Sequence, residues 1–245
     1  MNDKQIDLSI VIPAYNEAKR IGQSLETLAE YLKQSSRFGN VEVIVVAARG
    51  RDKTLDVAKA KKQLFETFVP IDAGAHIGKG RDVKMAMLKA RGKYRIFMDA
   101  DLATPLKHLE DVQKNILQHK DVIIGTRDLT SSHKGLRKFI SSFGNILIRI
   151  LLGLKINDTQ CGFKCFRDDV ATDLFGAQTI TGWGFDMEVL AIAKYRKYSI
   201  VTLPIEDWQD VAGGTFKNVA VSGALSTFKD LLKIKLNLLS GKYKQ

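Results

Sequence analysis

Short runs of β-branched and apolar residues alternate with segments whose apolar positions recur every three or four residues. Leu8–Ile12 is the first run, ended by Pro13. From Glu17 to about Gln34, Ile21, Leu25, Leu28 and Leu32 follow helical spacing. Val41–Val46 is the clearest buried strand, and Phe68–Ile71, Tyr94–Met98 and Asp121–Ile124 predict three more. Helices are expected over Asp52–Leu64, Lys79–Arg91 and Leu106–Leu117. Near-continuous apolar strands alternating with helices predict an α/β fold whose parallel sheet is covered on both faces. Ligands of such sheets bind beyond the carboxyl ends of the strands. Candidate chemistry stands there: Asn16-Glu17, Ala47 to Asp52, Asp72 to Gly80, Asp99 to Asp101, and Arg127.

The second half changes character. Arg137–Leu154 reads as a helix with a wide apolar stripe and a polar face bearing Lys138 and Arg149. Val219–Leu239 repeats the theme, with Leu225, Phe228, Leu231, Leu232, Leu236 and Leu239 against Lys229, Lys233 and Lys235. Each stripe fits either packing on the core or a membrane surface.

Composition narrows the class. The 245 residues are 45% hydrophobic and 27% charged, a globular balance. Lys plus Arg exceed Asp plus Glu by 38 − 27 = 11, which favours an anionic partner such as nucleic acid, a phosphorylated substrate or an acidic membrane. Two cysteines, Cys161 and Cys165, are too few for a disulfide scaffold, and the four histidines show no metal-ligand spacing. No signal peptide and no apolar run long enough to span a bilayer is visible. The expected location is the cytoplasm, peripheral on the cytosolic membrane face.

Asp99-Ala100-Asp101 follows a strand, where residues two apart point the same way. Two carboxylates so placed can share a hard divalent cation, Mg²⁺ or Mn²⁺, which can neutralise a diphosphate. Taken alone, such a pair is more commonly a solvated strand end. Gly78-Lys79-Gly80 begins a helix, a favourable place for phosphate, although its spacing fits neither the P-loop nor the dinucleotide fingerprint. Arg127 and Arg137 are candidates for a second phosphate, because the guanidinium fork pairs with two oxygens. Asp158–Lys164 is a dense polar loop, and two acids, Asp186 and Glu188, open a helix after Gly184.

In their order, Ile12–Glu17, Gly78–Gly80, Asp99–Pro105, Gly125–Arg127, Asp158–Lys164 and Phe185–Glu188 resemble the family 2 inverting glycosyltransferases of the GT-A fold. Within them the chain is most similar to dolichyl-phosphate β-glucosyltransferases and polyprenyl-phosphate sugar synthases. The resemblance covers nearly the whole chain. It implies that Asp99 and Asp101 grip the metal and diphosphate, Asp101 as the closer ligand. It implies a nucleotide pocket of Pro13, Tyr15 and Glu17, with Lys79 and Ala100 beside it. Arg127 and Arg137 would hold the lipid phosphate, and Gln160, Asp186 and Glu188 would line the sugar site. The implied donor is a nucleotide-diphosphate sugar, UDP-glucose first. The implied acceptor is a polyprenyl or dolichyl phosphate.

The chain departs from the family after its second strand. The usual Asp-Asp-Gly-Ser, whose acids contact base and ribose, is here Ala47-Ala48-Arg49-Gly50. Asp82 replaces a usual small residue, and Gly213–Lys217 alters an expected Gly-Ser-Lys flap. The expectation is therefore a GT-A domain over residues 1–218, followed at 219–245 by a membrane-surface helix and basic tail. The function expected is metal-dependent transfer of a hexose, glucose first, with inversion, to a lipid phosphate. The rivals are a family 2 transferase with a polysaccharide or soluble acceptor, and a non-catalytic relative that binds a membrane or partner. A nucleic-acid module is not expected, since no aromatic interleaving or recognition motif accompanies the positive charge.

Overall fold

The computed structural model describes residues 4–35, 38–127, 147–208 and 220–244. Among them, β1 (Leu8–Ala14), β2 (Val41–Arg49), β3 (Thr67–Ala75), β4 (Tyr94–Met98), β5 (Val122–Arg127), β6 (Phe163–Arg167) and β7 (Ile200–Ile205) form one sheet. Their order is β3-β2-β1-β4-β6-β5-β7. The helices are α1 (Ile21–Gln34), α2 (Thr54–Lys59), α3 (Lys79–Lys89), α4 (His108–Leu117), α5 (147–152), α6 (Asp168–Ala177), α7 (Phe185–Tyr195) and α8 (Ala220–Leu239).

Successive strand residues serve opposite layers. Ile10, Ile12, Val43 and Val45 pack with Ile21, Leu25 and Leu28 of α1 and Leu109 and Val112 of α4. Val11, Ile44 and Val46 pack with Val83 and Met87 of α3 and with α6 and α7. Burial on both faces is why these strands read as unbroken apolar runs.

The sheet is not wholly parallel. β6 runs antiparallel between β4 and β5, with Met98 opposite Phe163 and Ile123 opposite Cys165. Phe163–Arg167 reads from sequence as the edge of a polar loop because Lys164 interrupts its apolar pattern. That lysine is in fact 1% exposed. The reversal sets up the site: the start of an antiparallel strand lies beside the carboxyl ends of its parallel neighbours, so β6 delivers the loop 158–162 to the end of β4. Asp52–Leu64 also differs from expectation, forming the short α2 and a separate 3-10 turn at Lys62–Leu64.

Two expectations fall outside the described residues, namely Arg137 with the first part of its helix, and Gly213–Lys217. In the described part of that expected helix, Leu147 and Leu151 of the apolar stripe are half-buried and Ile150 is exposed, while Ile148 and Leu152 beside them are buried. In α8 the apolar positions divide. Leu231 and Ile234 are buried with Tyr243 in the core, whereas Phe228, Leu232, Leu236 and Leu239 face outward. The helix is therefore built into the domain by one face. Asp230, on the same helix, accepts a hydrogen bond from the Gly184 N–H at the start of α7.

Candidate active site

The turn after β4 carries the acidic pair. Asp99 N–H donates to Gly162 O at 3.2 Å, tying β4 to the start of β6. A Cβ at Gly162 would run into the Asp99 carboxyl, so a larger residue there would displace that side chain. Asp101 Oδ1 accepts the Ala103 N–H at 3.1 Å, closing a local turn. Behind the pair, Ser24 Oγ of α1 donates to Ala100 O at 2.6 Å. These bonds hold the acids at the sheet edge.

Cations converge on them. Lys79 Nζ, at the start of α3, is 2.5 Å from Asp99 Oδ1 and 5.2 Å from the centre of the Trp183 ring. Burial disfavours the Lys79 charge, but Asp99, Asp186 and Asp101 outweigh it and raise its pKa. Burial, followed by the charge of Asp99, pushes the Asp101 carboxyl above its ordinary value. Glu17 is also raised by burial, although Arg20 pairs with both its oxygens, at 2.7 and 2.9 Å. Among the described residues, Asp101 has one hydrogen-bond donor, the Ala103 N–H.

That donor set fits a hard divalent cation in one way only. No cluster of three or more His, Cys, Asp or Glu among the described residues forms a complete cage. Two carboxylates are enough for Mg²⁺ or Mn²⁺ when substrate phosphates and water supply the remaining oxygens.

Arg127 ends β5 on the other side of β6. Its Nε donates to Asp158 Oδ2 at 2.6 Å and its Nη2 to Oδ1 at 3.0 Å. The Arg127 guanidinium also lies 5.1 Å from the Trp208 ring centre. Asp158 is 2% exposed and further accepts the N–H groups of Arg127 and Gln160. In the sequence only its place in the polar loop marks it. Gln160 itself is exposed.

Asp186 and Glu188 lie deeper than a sugar-lining role suggests. Asp186 is 3% exposed and accepts Lys164 Nζ at 2.5 Å. Lys164 also donates to Cys161 O at 2.5 Å. Burial pushes the Asp186 carboxyl up while Lys164 and Lys79 pull it down. Asp186 thus contributes negative charge beneath Lys79. Glu188 is fully buried and accepts from Thr179 N and Oγ1, Ile180 N and Tyr243 OH, at 2.9, 2.6, 2.7 and 2.6 Å. Its carboxylate braces the loop before α7 and the chain after α8.

At the end of β1, Pro13 is buried and registers with Val46. Tyr15 stacks on His76, with ring centres 3.8 Å apart. The structure thus brings Tyr15, Glu17, Lys79, Asp99, Asp101, Arg127 and Gln160 to the strand ends, with Pro13, Ala100, Asp186 and Glu188 behind them.

Residues 9–175 match the family model described as glycosyl transferase family 2. The chain belongs to this family and is a glycosyltransferase. Dolichyl-phosphate beta-glucosyltransferase ALG5D of Trichomonas vaginalis is 31% identical over 243 residues, covering 94% of this chain and 73% of that protein. The enzyme of the same name from Dictyostelium discoideum is 29% identical over 254 residues, covering 98% and 77%. Among solved structures, mannosyl-3-phosphoglycerate synthase of Rubrobacter xylanophilus superposes with a TM-score of 0.68 at 15% identity, covering 98% of this chain and 77% of that one. Glucosyl-3-phosphoglycerate synthase of Mycobacterium tuberculosis, crystallised with Mn²⁺, uridine diphosphate and phosphoglyceric acid, gives 0.64 at 17% identity, covering 94% and 78%. The sheet and its flanking helices are thus the GT-A architecture of these neighbours.

Proposed function

We propose that the protein transfers a hexose, glucose first, from a nucleotide-diphosphate sugar to a polyprenyl or dolichyl phosphate, with inversion at the anomeric carbon. The carrying observation is the loop 158–162. At one end Asp158 holds the Arg127 fork, and at the other Gly162 backs Asp99. That one loop ties Arg127 to Asp99 supports the reading, since a phosphate acceptor asks for a cation and a diphosphate donor for metal-holding carboxylates.

The chemistry asks little of a protein base. A phosphate monoester has its second pKa near about 6, so the acceptor is already largely a dianion at neutral pH. Arg127, whose Nε and Nη2 are held by Asp158, is the group to orient that dianion toward the anomeric carbon through its remaining N–H groups. Arg137 is assigned to the same phosphate. Asp99 and Asp101 are the residues to hold Mg²⁺ or Mn²⁺, which when bound supplies positive charge to the leaving diphosphate. Lys79, paired with Asp99, would add a second positive charge to the diphosphate. The anomeric C–O bond to the diphosphate breaks as the acceptor oxygen bonds the opposite face, and the diphosphate leaves with the electron pair. Tyr15 and Glu17 border the nucleoside end and Gln160 the sugar.

Attachment to a membrane surface is part of the reading. No helix among the described residues is long and apolar enough to cross a membrane. At about 100° per residue, Phe228, Leu239, Leu232 and Leu236 cover an arc of about 80° on α8. Lys235 borders the arc on one side, and Lys229 and Lys233 on the other. An apolar stripe edged by lysines suits an acidic bilayer, on the cytosolic face.

The test supplies UDP-glucose and Mn²⁺ with either dolichyl phosphate in detergent or 3-phosphoglycerate in buffer. Glucose entering the lipid supports the reading. Glucose entering phosphoglycerate alone supports a soluble acceptor, as the Mycobacterium tuberculosis neighbour's name describes for that protein.

A further inference from the structure

The first turn of α3 carries an acid that the proposed mechanism does not use. Nucleobases present N–H donors at their pairing edges, and a buried acceptor there discriminates strongly, because a mismatched base leaves it unpaired. The end of β2 offers no such group. Ala47 and Ala48 are both buried, and Arg49 beyond them turns outward to Asp72 at 2.9 Å.

Asp82, in the first turn of α3, lies on the Ala48 side of the sheet. Ala48 and Ala73 pack in one layer with Val83, the residue after Asp82, and Tyr15 rests against that layer. The Asp82 carboxyl is within electrostatic range of His76, whose ring stacks on Tyr15. It is 3% exposed, and among the described residues nothing hydrogen-bonds its Oδ1. Arg81 Nη1 stands 3.7 Å away, beyond hydrogen-bonding distance, and donates instead to Ala73 O at 2.6 Å. Burial raises the Asp82 pKa, the signature of a carboxyl taken from water without a full partner. A group held in this way costs the unliganded fold stability.

We infer that Asp82 is a specificity-determining residue that accepts an N–H of the donor's nucleobase, replacing a carboxylate absent from β2. The inference rests on the nucleotide-sugar reading above. A purely structural Asp82, complementing the dipole of α3, would stabilise the free protein. A base-reading Asp82 would stabilise only the complex.

Calorimetric titrations of UDP, GDP, CDP, dTDP and inorganic pyrophosphate, all with Mn²⁺, separate these roles. They compare the natural protein with Asp82→Asn, Asp82→Ala and Asp82→Ala/Ala48→Asp. For the tightest nucleotide, Asp82→Ala is expected to weaken binding about tenfold to a hundredfold, the worth of one hydrogen bond to a charged group. Pyrophosphate binding should not change, and the free variant should melt no lower. Ala48→Asp should restore part of the loss, and Asp82→Asn, which keeps the shape and an acceptor oxygen but loses the charge, should show a smaller nucleotide-only loss, which an unchanged affinity would contradict. Equal losses for nucleotide and pyrophosphate, or unchanged nucleotide affinity in a folded variant, overturn the inference alone. If the natural protein binds no nucleotide more tightly than pyrophosphate, the nucleotide-sugar reading falls, and the inference with it.

Discussion

Lys79 Nζ lies 2.5 Å from Asp99 Oδ1, so the first residue of α3 neutralises the acid that follows β4. The ammonium competes with any cation for that carboxylate and is itself a natural partner for a diphosphate. Lys79→Met should therefore bind free Mn²⁺ more tightly and a nucleoside diphosphate more weakly. Electron paramagnetic resonance titration of Mn²⁺ checks the first effect and calorimetry the second. A structural lesion would weaken both.

Arg127 and Asp158 form the second relationship on which the site depends. Burial works against the Asp158 charge, but the Arg127 hydrogen bonds and charge outweigh it and lower its pKa below 3.8. The stabilisation is therefore present above 3.8 and disappears as pH falls through the depressed value. Asp158→Asn should lower stability at pH 7 by up to about 3–5 kcal/mol, toward the low end because Arg127 keeps some solvent. Thermal melts from pH 7 downward should show the gap to the natural protein closing in acid. Arg127→Lys, which keeps charge but loses the fork, should raise the acceptor KM more than it lowers kcat.

Lys164 and Asp186 pair at 2.5 Å with side chains 1% and 3% exposed. Removing one partner strands a buried charge. Lys164→Met should cost about 3–5 kcal/mol in urea unfolding, and Lys164→Met/Asp186→Leu should recover much of it.

Glu188 separates bracing from sugar contact. Tyr243→Phe removes one of its four donors and should cost about 1.5–3 kcal/mol of stability, the range for a hydrogen bond to a charged group. Donor and acceptor KM should stay unchanged. A raised donor KM in a stable variant would return Glu188 to the sugar site.

The parallel half of the sheet was legible because Leu8–Ile12, Val41–Val46 and Tyr94–Met98 are buried on both faces and written in apolar residues. The acids after β4 were legible by position, since open α/β sheets bind ligands at strand ends. β6 was not, because its second residue, Lys164, is a buried ion-pair member that reads as solvent-facing. The roles of Asp158 and Glu188 were hidden for a related reason. Each is defined by partners far along the chain, Arg127 and Tyr243, and local pattern carries no trace of such pairings. Asp82 stands out in the sequence only as a departure from a usual small residue; its burial and unpartnered oxygen depend on the packing around α3.

The most direct test of the central claim follows the phosphorus atoms. In ³¹P nuclear magnetic resonance, the natural protein with UDP-glucose, Mn²⁺ and a detergent-dispersed polyprenyl phosphate should replace the acceptor's monoester signal with a phosphodiester. UDP should appear in equal amount, the proton spectrum of the lipid product should show a β-linked hexose, and Asp101→Ala should leave the spectrum unchanged. UDP released without a phosphodiester, or a donor left intact by a folded natural protein, would contradict transfer to a lipid phosphate.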